Sequence, residues 1–112
     1  MVTVSFYQTP EGRRSGFKAH GHSGFAPAGK DIVCAAVSVL AQTAVLGLCH
    51  YLGSKVDVEV KDGFLNCRAR PDTGKEIEQA EIIFQTMFLG VAAIKESYSK
   101  YVEITEEVDR ND

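Results

Sequence analysis

Residues 55–70, with the sequence KVDVEVKDGFLNCRAR, decide how this chain folds. Apolar and polar residues alternate in both halves, which is the pattern of strands with one buried face. The dipeptide Asp62-Gly63 between the halves favours a two-residue hairpin turn. Pairing across that turn gives three apolar pairs on one face: Val60 with Leu65, Val58 with Cys67, and Val56 with Ala69. Asp57 then lies opposite Arg68, so the stretch predicts an antiparallel hairpin that buries Cys67 and pairs two opposite charges.

A long apolar helix is predicted before this hairpin. Asp31 is a natural N-cap residue and Gly53 lies where a left-handed C-cap belongs, so the helix is expected to run to about Leu52. Of the 21 residues from Ile32 to Leu52, 16 are apolar. A helix that is apolar nearly all round must be covered on nearly all sides. We therefore expect the sheet, a second helix and a second subunit to cover it, which predicts a homodimer.

The rest of the chain completes an α+β pattern. Thr73 and Glu76 form a capping-box motif that starts a second helix, with apolar residues at helical spacing as far as Ile94. Alternating residues predict strands over residues 2–7, 15–22 and 100–105, and the acidic end, residues 106–112, is expected to fray. The order β-β-α-β-β-α-β predicts a two-layer α+β fold, with two helices on one face of a small, mainly antiparallel sheet. Residues 1–112 are treated as a single domain.

Composition excludes several classes of protein. The 112 residues are 45% hydrophobic and 24% charged, the balance of one soluble globular domain. A formal net charge of −3 without a basic stripe argues against direct binding of nucleic acid. The three cysteines, Cys34, Cys49 and Cys67, are widely spaced and form no disulfide framework, which suits a reducing cytosol. The N-terminus shows no secretory signal pattern, so we expect a cytoplasmic protein.

One uncharged stretch, Ile32–Cys49, passes the length test for a membrane span. It is rich in Ala, however, and carries Ser38, Gln42 and Thr43 through its middle. A buried core helix between strands fits these features better than a membrane helix does. No association with a membrane is expected.

Cys34 stands out because it falls in the first turn of the predicted helix. The unpaired N–H groups and the positive end of the helix dipole favour a thiolate there, and the thiolate is the nucleophilic form of cysteine. His22 ends the second predicted strand, and a short loop brings the chain back to Cys34 twelve residues later. A thiol with an imidazole is the minimal pair of a cysteine protease. Equally, Cys34 is a small apolar residue among alanines, and His22 a solvated histidine at a loop edge.

Other roles for these residues remain open. His20, His22 and Cys34 are three possible zinc ligands, but no Cys-x-x-Cys or fourth ligand supports a metal site, and we predict no metal and no cofactor. Cys49 and Cys67 are predicted to pack in the core. Ser38 lies one turn after Cys34 on the same helix face, where it is predicted to contact the site unless it bonds its own backbone.

The segment 21–30, which contains Gly21, Phe25 and Pro27, has two interpretations. Its glycines suit a lid that closes over an extended peptide and then opens. It is equally suited to be a plain connector between strand and helix. In the first interpretation Gly21 and Phe25 contribute to substrate binding.

Two stretches of the chain closely resemble the signature of the bacterial ribosomal-processing cysteine protease family, called Prp. They are Gly21-His22-Ser23 and, after a short loop, Gly29-Lys30-Asp31-Ile32-Val33-Cys34-Ala35-Ala36-Val37-Ser38. The resemblance is dense over residues 21–38, and the rest of the chain agrees with the family in length and in the order of its elements. A match with fixed His, Asp and Cys positions is far more specific than any one of those residues.

The resemblance implies a homodimeric endopeptidase that removes a short N-terminal extension from bacterial large-subunit ribosomal protein number twenty-seven. Cys34 would be the nucleophile and His22 the general base and acid. The family's acidic position falls on Asp31, which would orient the site or only cap the helix. An apolar groove for the hydrophobic stretch of the substrate is implied, with Phe25 as one contributor. The alternative is a ribosome-associated binding protein without catalysis, which would have no need of a thiolate at a helix start.

Overall fold

The computed structural model describes residues 1–27 and 31–109, which form a five-stranded sheet and two long helices. The elements are β1 (Val2–Gln8), β2 (Arg14–His20), α1 (Ile32–Leu52), β3 (Val56–Lys61), β4 (Phe64–Ala69), α2 (Gly74–Ser97) and β5 (Val102–Val108). The strand order in the sheet is β3-β4-β2-β1-β5, and only β1 and β5 are parallel among these strands. The predicted two-layer α+β fold and its element order are confirmed.

The central hairpin has the predicted register, with Val60 opposite Leu65, Val58 opposite Cys67 and Val56 opposite Ala69. Cys67 is fully buried, as predicted. Because β3 is the edge strand, Val58 and Val60 remain 41% and 67% exposed. Asp57 aligns with Arg68, as predicted. Other partners also bond these side chains: Asp57 accepts from Arg70 at 2.8 Å, and Arg68 donates to Asp109 at 2.7 Å.

Helix α1 has the predicted bounds, with an N-cap at Asp31 and a C-cap at Gly53. Its buried side chains lie along one face: Val33, Val37, Ala41, Ala44, Leu48 and Leu52. The expectation of cover on nearly all sides is not met within the described chain, because Val39 and Leu46 on the opposite face are 62% and 71% exposed. Cys49 is exposed, so its predicted place in the core is wrong. It follows buried Leu48 by one residue, and a turn of about 100° carries its side chain off the buried face.

Helix α2 begins after Thr73, whose hydroxyl accepts the N–H of Glu76 as the capping box predicts. The carboxylate of Glu76 does not complete the box, since it accepts the N–H of Asp72 and the ammonium of Lys55. Four residues of α2 are buried: Ala80, Phe84, Met87 and Val91. Both helices are long and apolar enough to cross a bilayer by length and composition alone, but each packs one face into this core.

The C-terminal strand is longer than predicted. β5 continues to Val108, paired in parallel with β1 as far as Gln8, and the N–H of Asp109 donates to the carbonyl of Gln8. Asp109 is buried and its carboxylate accepts from Arg68. The prediction of a frayed end from residue 106 is therefore wrong as far as 109, because a neighbouring strand supplies backbone partners. The remainder of that prediction, residues 110–112, lies outside the described residues.

Candidate active site

Cys34 is the third residue of α1 and is partly exposed. The carboxylate of Asp31 accepts the backbone N–H of Cys34 at 2.9 Å, which starts the helix at this point. This bond occupies the Cys34 N–H, so that group is not free to bind a developing oxyanion while Asp31 is ionised. The cap therefore fixes the backbone of the first helical turn, which carries the Cys34 thiol.

His22 lies two residues beyond the end of β2, rather than within the strand as the alternation predicted. Gly21, which precedes it, has a φ of +90° and turns the chain away from the strand direction. The N–H of Gly21 donates to the carbonyl of Gly63 at 2.9 Å, so the turn between β3 and β4 holds this segment. The side chain of His22 is exposed to solvent.

Cys34 and His22 line the same cavity, which has a volume of about 310 Å³. The cavity lies between the start of α1, the end of β2 and the β3–β4 turn. Ser38 and Gly21, both predicted to contact substrate, also line it. Ser38 does not bond its own backbone in the way the alternative expected; its hydroxyl accepts from the side-chain amide of Gln42 at 2.7 Å. A thiol and an imidazole at one cavity are an arrangement suited to acyl transfer.

The hairpin contributes a wall of this cavity that the sequence did not indicate. The wall consists of Val60, Lys61, Asp62, Gly63, Phe64 and Leu65. The alternation of this stretch revealed the hairpin, but its position beside Cys34 depends on β4 pairing with β2, which the alternation does not encode. The sequence signal that could have found the wall is the Asp62-Gly63 turn itself, once β4 is placed next to the strand that leads to His22.

Asp31 bonds residues on both sides of the loop between β2 and α1. One carboxylate oxygen accepts the Cys34 N–H and the other accepts the hydroxyl of Ser23, which is buried. Hydrogen bonds from Ser23 and from the backbone of Cys34 hold the pKa of Asp31 below its ordinary value. These contacts fit the role of helix cap that was left open for Asp31.

Phe25 does not line the cavity. Its ring packs edge-on against the rings of Tyr98 and Tyr101, with centroids 5.5 and 5.3 Å apart, and it is 40% exposed. The hydroxyl of Ser23 also accepts the N–H of Phe25. These contacts hold Phe25 in place in the first part of the predicted lid. The second half of that prediction, residues 28–30, lies outside the described residues.

A metal site has no geometric support in the part of the chain that the structure describes. No group of three or more His, Cys, Asp or Glu side chains there is placed to hold an ion. The zinc alternative built on His20, His22 and Cys34 therefore lacks a ligand cluster.

A larger cavity, about 490 Å³, lies at the opposite ends of the strands, between the β1–β2 turn and the end of β4. Three of its arginines are in ion pairs: Arg14 with Glu106, Arg68 with Asp109, and Arg70 with Asp57. Neither the thiol of Cys34 nor the imidazole of His22 reaches this cavity. We assign the candidate site to the smaller cavity because Cys34 and His22 both line it.

The chain is a cysteine peptidase, a hydrolase with a thiol nucleophile. The family model for cysteine protease Prp matches residues 1–103, and the chain belongs to that family. The ribosomal processing cysteine protease Prp of Staphylococcus aureus is 27% identical over 106 residues, which cover 93% of this chain and 97% of that protein. The resemblance drawn from residues 21–38 is thus confirmed.

Solved structures agree with this assignment. The essential ribosomal processing protease Prp from S. aureus, in complex with a covalently linked product peptide, superposes with a TM-score of 0.83 at 26% identity, covering 95% of this chain and 99% of that one. SMU.848 from Streptococcus mutans superposes with a TM-score of 0.79 at 26% identity, covering 97% and 96%. The similarity therefore extends over the whole domain.

Proposed function

We propose that this protein is an endopeptidase that removes a short N-terminal extension from bacterial large-subunit ribosomal protein number twenty-seven, in the cytoplasm. The observation that carries the proposal is the shared cavity of Cys34 and His22 at the start of α1. The related S. aureus protein is described as a ribosomal processing protease, which supports a ribosomal protein precursor as the substrate.

The proposed reaction uses Cys34 as nucleophile and His22 as general base and acid. His22 takes the proton of the Cys34 thiol, and the sulfur attacks the carbonyl carbon of the scissile peptide bond. The imidazolium then gives that proton to the leaving amine, and a thioester to Cys34 remains. Water then attacks the thioester while His22 takes one of its protons. The C–S bond breaks, the carboxylic acid leaves, and His22 returns the proton to the sulfur of Cys34. No metal or further cofactor takes part in these steps.

Substrate selection is proposed to rest on the hairpin wall of the cavity. Val60, Phe64 and Leu65 offer apolar surface beside the thiol, and Val60 is 67% exposed. An extended peptide with apolar side chains before the scissile bond would bury this surface. Lys61 and Asp62 at the tip of the hairpin keep the rim of the cavity polar.

We also propose that two copies of the chain associate through their helices. Ile32, Val39 and Leu46 recur every seven residues on the face of α1 that points away from the sheet, and each is more than half exposed. Ile82 and Leu89 repeat the same spacing on α2, 59% and 58% exposed. A second copy is the proposed cover for this apolar face, which a monomer leaves in water. Neither nucleic acid nor a membrane is proposed as a partner.

The test of the proposed reaction is cleavage of the extension-bearing ribosomal protein, followed by intact mass. A single cut is expected, abolished in Cys34→Ala and slowed by about two to four orders of magnitude in His22→Ala, the range that general acid–base catalysis contributes.

Matched controls lie on the same helix. Cys49→Ala removes the other accessible thiol, and His50→Ala removes a histidine outside the cavity. Both variants are expected to cut at the wild-type rate. Binding of the precursor without any cut, or a cut that survives Cys34→Ala, would overturn the proposal in favour of a binding protein or a different nucleophile.

A further inference from the structure

The imidazole of His22 rests against a residue that has no side chain. A Cβ built on Gly63 would lie 3.0 Å from Nε2 of His22 and 3.3 Å from its Cε1. Contacts this short are rare for real Cβ atoms, so any side chain at position 63 would push the ring by a few tenths of an ångström. Gly63 also has a φ of +67°, a conformation that glycine adopts at little cost.

The backbone of Gly63 also bonds the residue that precedes His22. The last paired residues of β2 and β4 are His20 and Phe64, and the N–H of Gly21 donates to the carbonyl of Gly63 one step further along. This bond prolongs the β2–β4 ladder past the end of β2. His22 is exposed and outside any strand. The hairpin turn therefore contacts it in two ways: Gly63 bonds the backbone of the preceding residue and lies against the imidazole ring.

We propose that Gly63 is a positioning residue, whose carbonyl and bare Cα set the imidazole of His22 in place for proton exchange with Cys34. The inference rests on the proposed catalytic pair and adds the β3–β4 turn to the elements that align it. A Cβ at position 63 would shift the ring without touching the thiol or the start of α1. Displacement of a proton-transfer group on this scale lowers the rate of the chemical step more than it changes binding of the substrate.

The experiment compares Gly63→Ala with Gly12→Ala. Gly12 is a turn glycine with a φ of +92° and nothing within 4 Å of its built Cβ, so its substitution carries the backbone strain without the contact. We expect Gly63→Ala to lower kcat by about tenfold with KM little changed, while Gly12→Ala keeps the wild-type kcat. If Gly63→Ala does not fold, Gly63→Asn supplies the same Cβ on a residue that tolerates positive φ.

The double variant His22→Ala/Gly63→Ala separates positioning from general damage. If Gly63 acts through His22, the double variant is as slow as His22→Ala alone, because there is no imidazole left to displace. A further tenfold loss in the double variant, or equal kcat values for Gly63→Ala and Gly12→Ala, would overturn the inference. If His22→Ala itself cuts at the wild-type rate, the proposed catalytic pair fails as well. If His22→Ala is slow and Gly63→Ala is not, only the positioning role fails.

Discussion

Cys67 should react with iodoacetamide far more slowly than Cys34 and Cys49 do. Burial, with smaller effects from nearby Cys49 and Asp57, raises the pKa of Cys67 from 9.0 to about 12. A difference of about three pKa units leaves roughly a thousandfold less thiolate than an ordinary thiol has at the same pH, and only the thiolate reacts. Cys67 is also fully buried, whereas Cys34 is partly exposed and Cys49 is exposed.

The assay is timed alkylation at pH 8, read residue by residue through peptide mass mapping, with cleavage activity measured on the same samples. Cys34 and Cys49 are expected to label in the folded protein, and Cys67 only after unfolding in urea. The fraction of activity lost should equal the fraction of Cys34 labelled at each time point. It should not follow the fraction of Cys49 labelled in the same samples. Labelling of Cys67 in the folded state within tenfold of the rate of Cys49 would refute the reasoning.

Three further predictions concern stability and assembly. Because hydrogen bonds from Ser23 and the Cys34 backbone lower the pKa of Asp31, its contribution to stability is present above the ordinary carboxyl pKa and is lost as the pH falls through the folded value. The difference in urea midpoint between wild type and Asp31→Asn should therefore shrink between pH 6 and pH 3. Phe84→Ala, which empties a fully buried site against Phe17, should cost about 3–5 kcal/mol in urea denaturation. Leu46→Glu should give a monomer by light scattering, whereas Val108→Glu, an exposed position on β5, should leave the mass of wild type.

Local patterns predicted those parts of the fold that depend on neighbours in sequence. The hairpin register follows from alternation around Asp62-Gly63, and the start of α1 follows from the carboxylate of Asp31. Exposure of Cys49 and Val60 was not predictable in this way, because it depends on which faces the other elements cover. The length of β5 likewise depends on β1, a strand about a hundred residues away in the sequence.

The candidate site divides in the same manner. Cys34 and His22 were predicted from their places at a helix start and at the end of a strand, and both line one cavity in the structure. The hairpin wall was missed because its residues reach the cavity through the pairing of β4 with β2. Phe25 was expected near the substrate as an apolar loop residue, but its ring packs against the rings of Tyr98 and Tyr101 instead.

The pairing of β1 with β5 has a consequence for the order in which the molecule can fold. β1 and β2 are joined by a short turn and can pair as soon as both have been synthesised, whereas β5 follows from the last part of the chain. Ser5 and Thr105, whose hydroxyls bond across β1 and β5, are 100 residues apart, and contacts of such separation form slowly.

Until β5 arrives, the far edge of β1 has unpaired backbone groups next to fully buried Val4 and Phe6. A nascent chain would expose this apolar edge, with its unpaired backbone groups, throughout synthesis of both helices. Such edges pair with strands from other chains. The sheet is therefore complete only once β5 has paired with β1. A ribosome that stalls before residue 102 would release an aggregation-prone fragment that lacks the strand needed to complete the sheet.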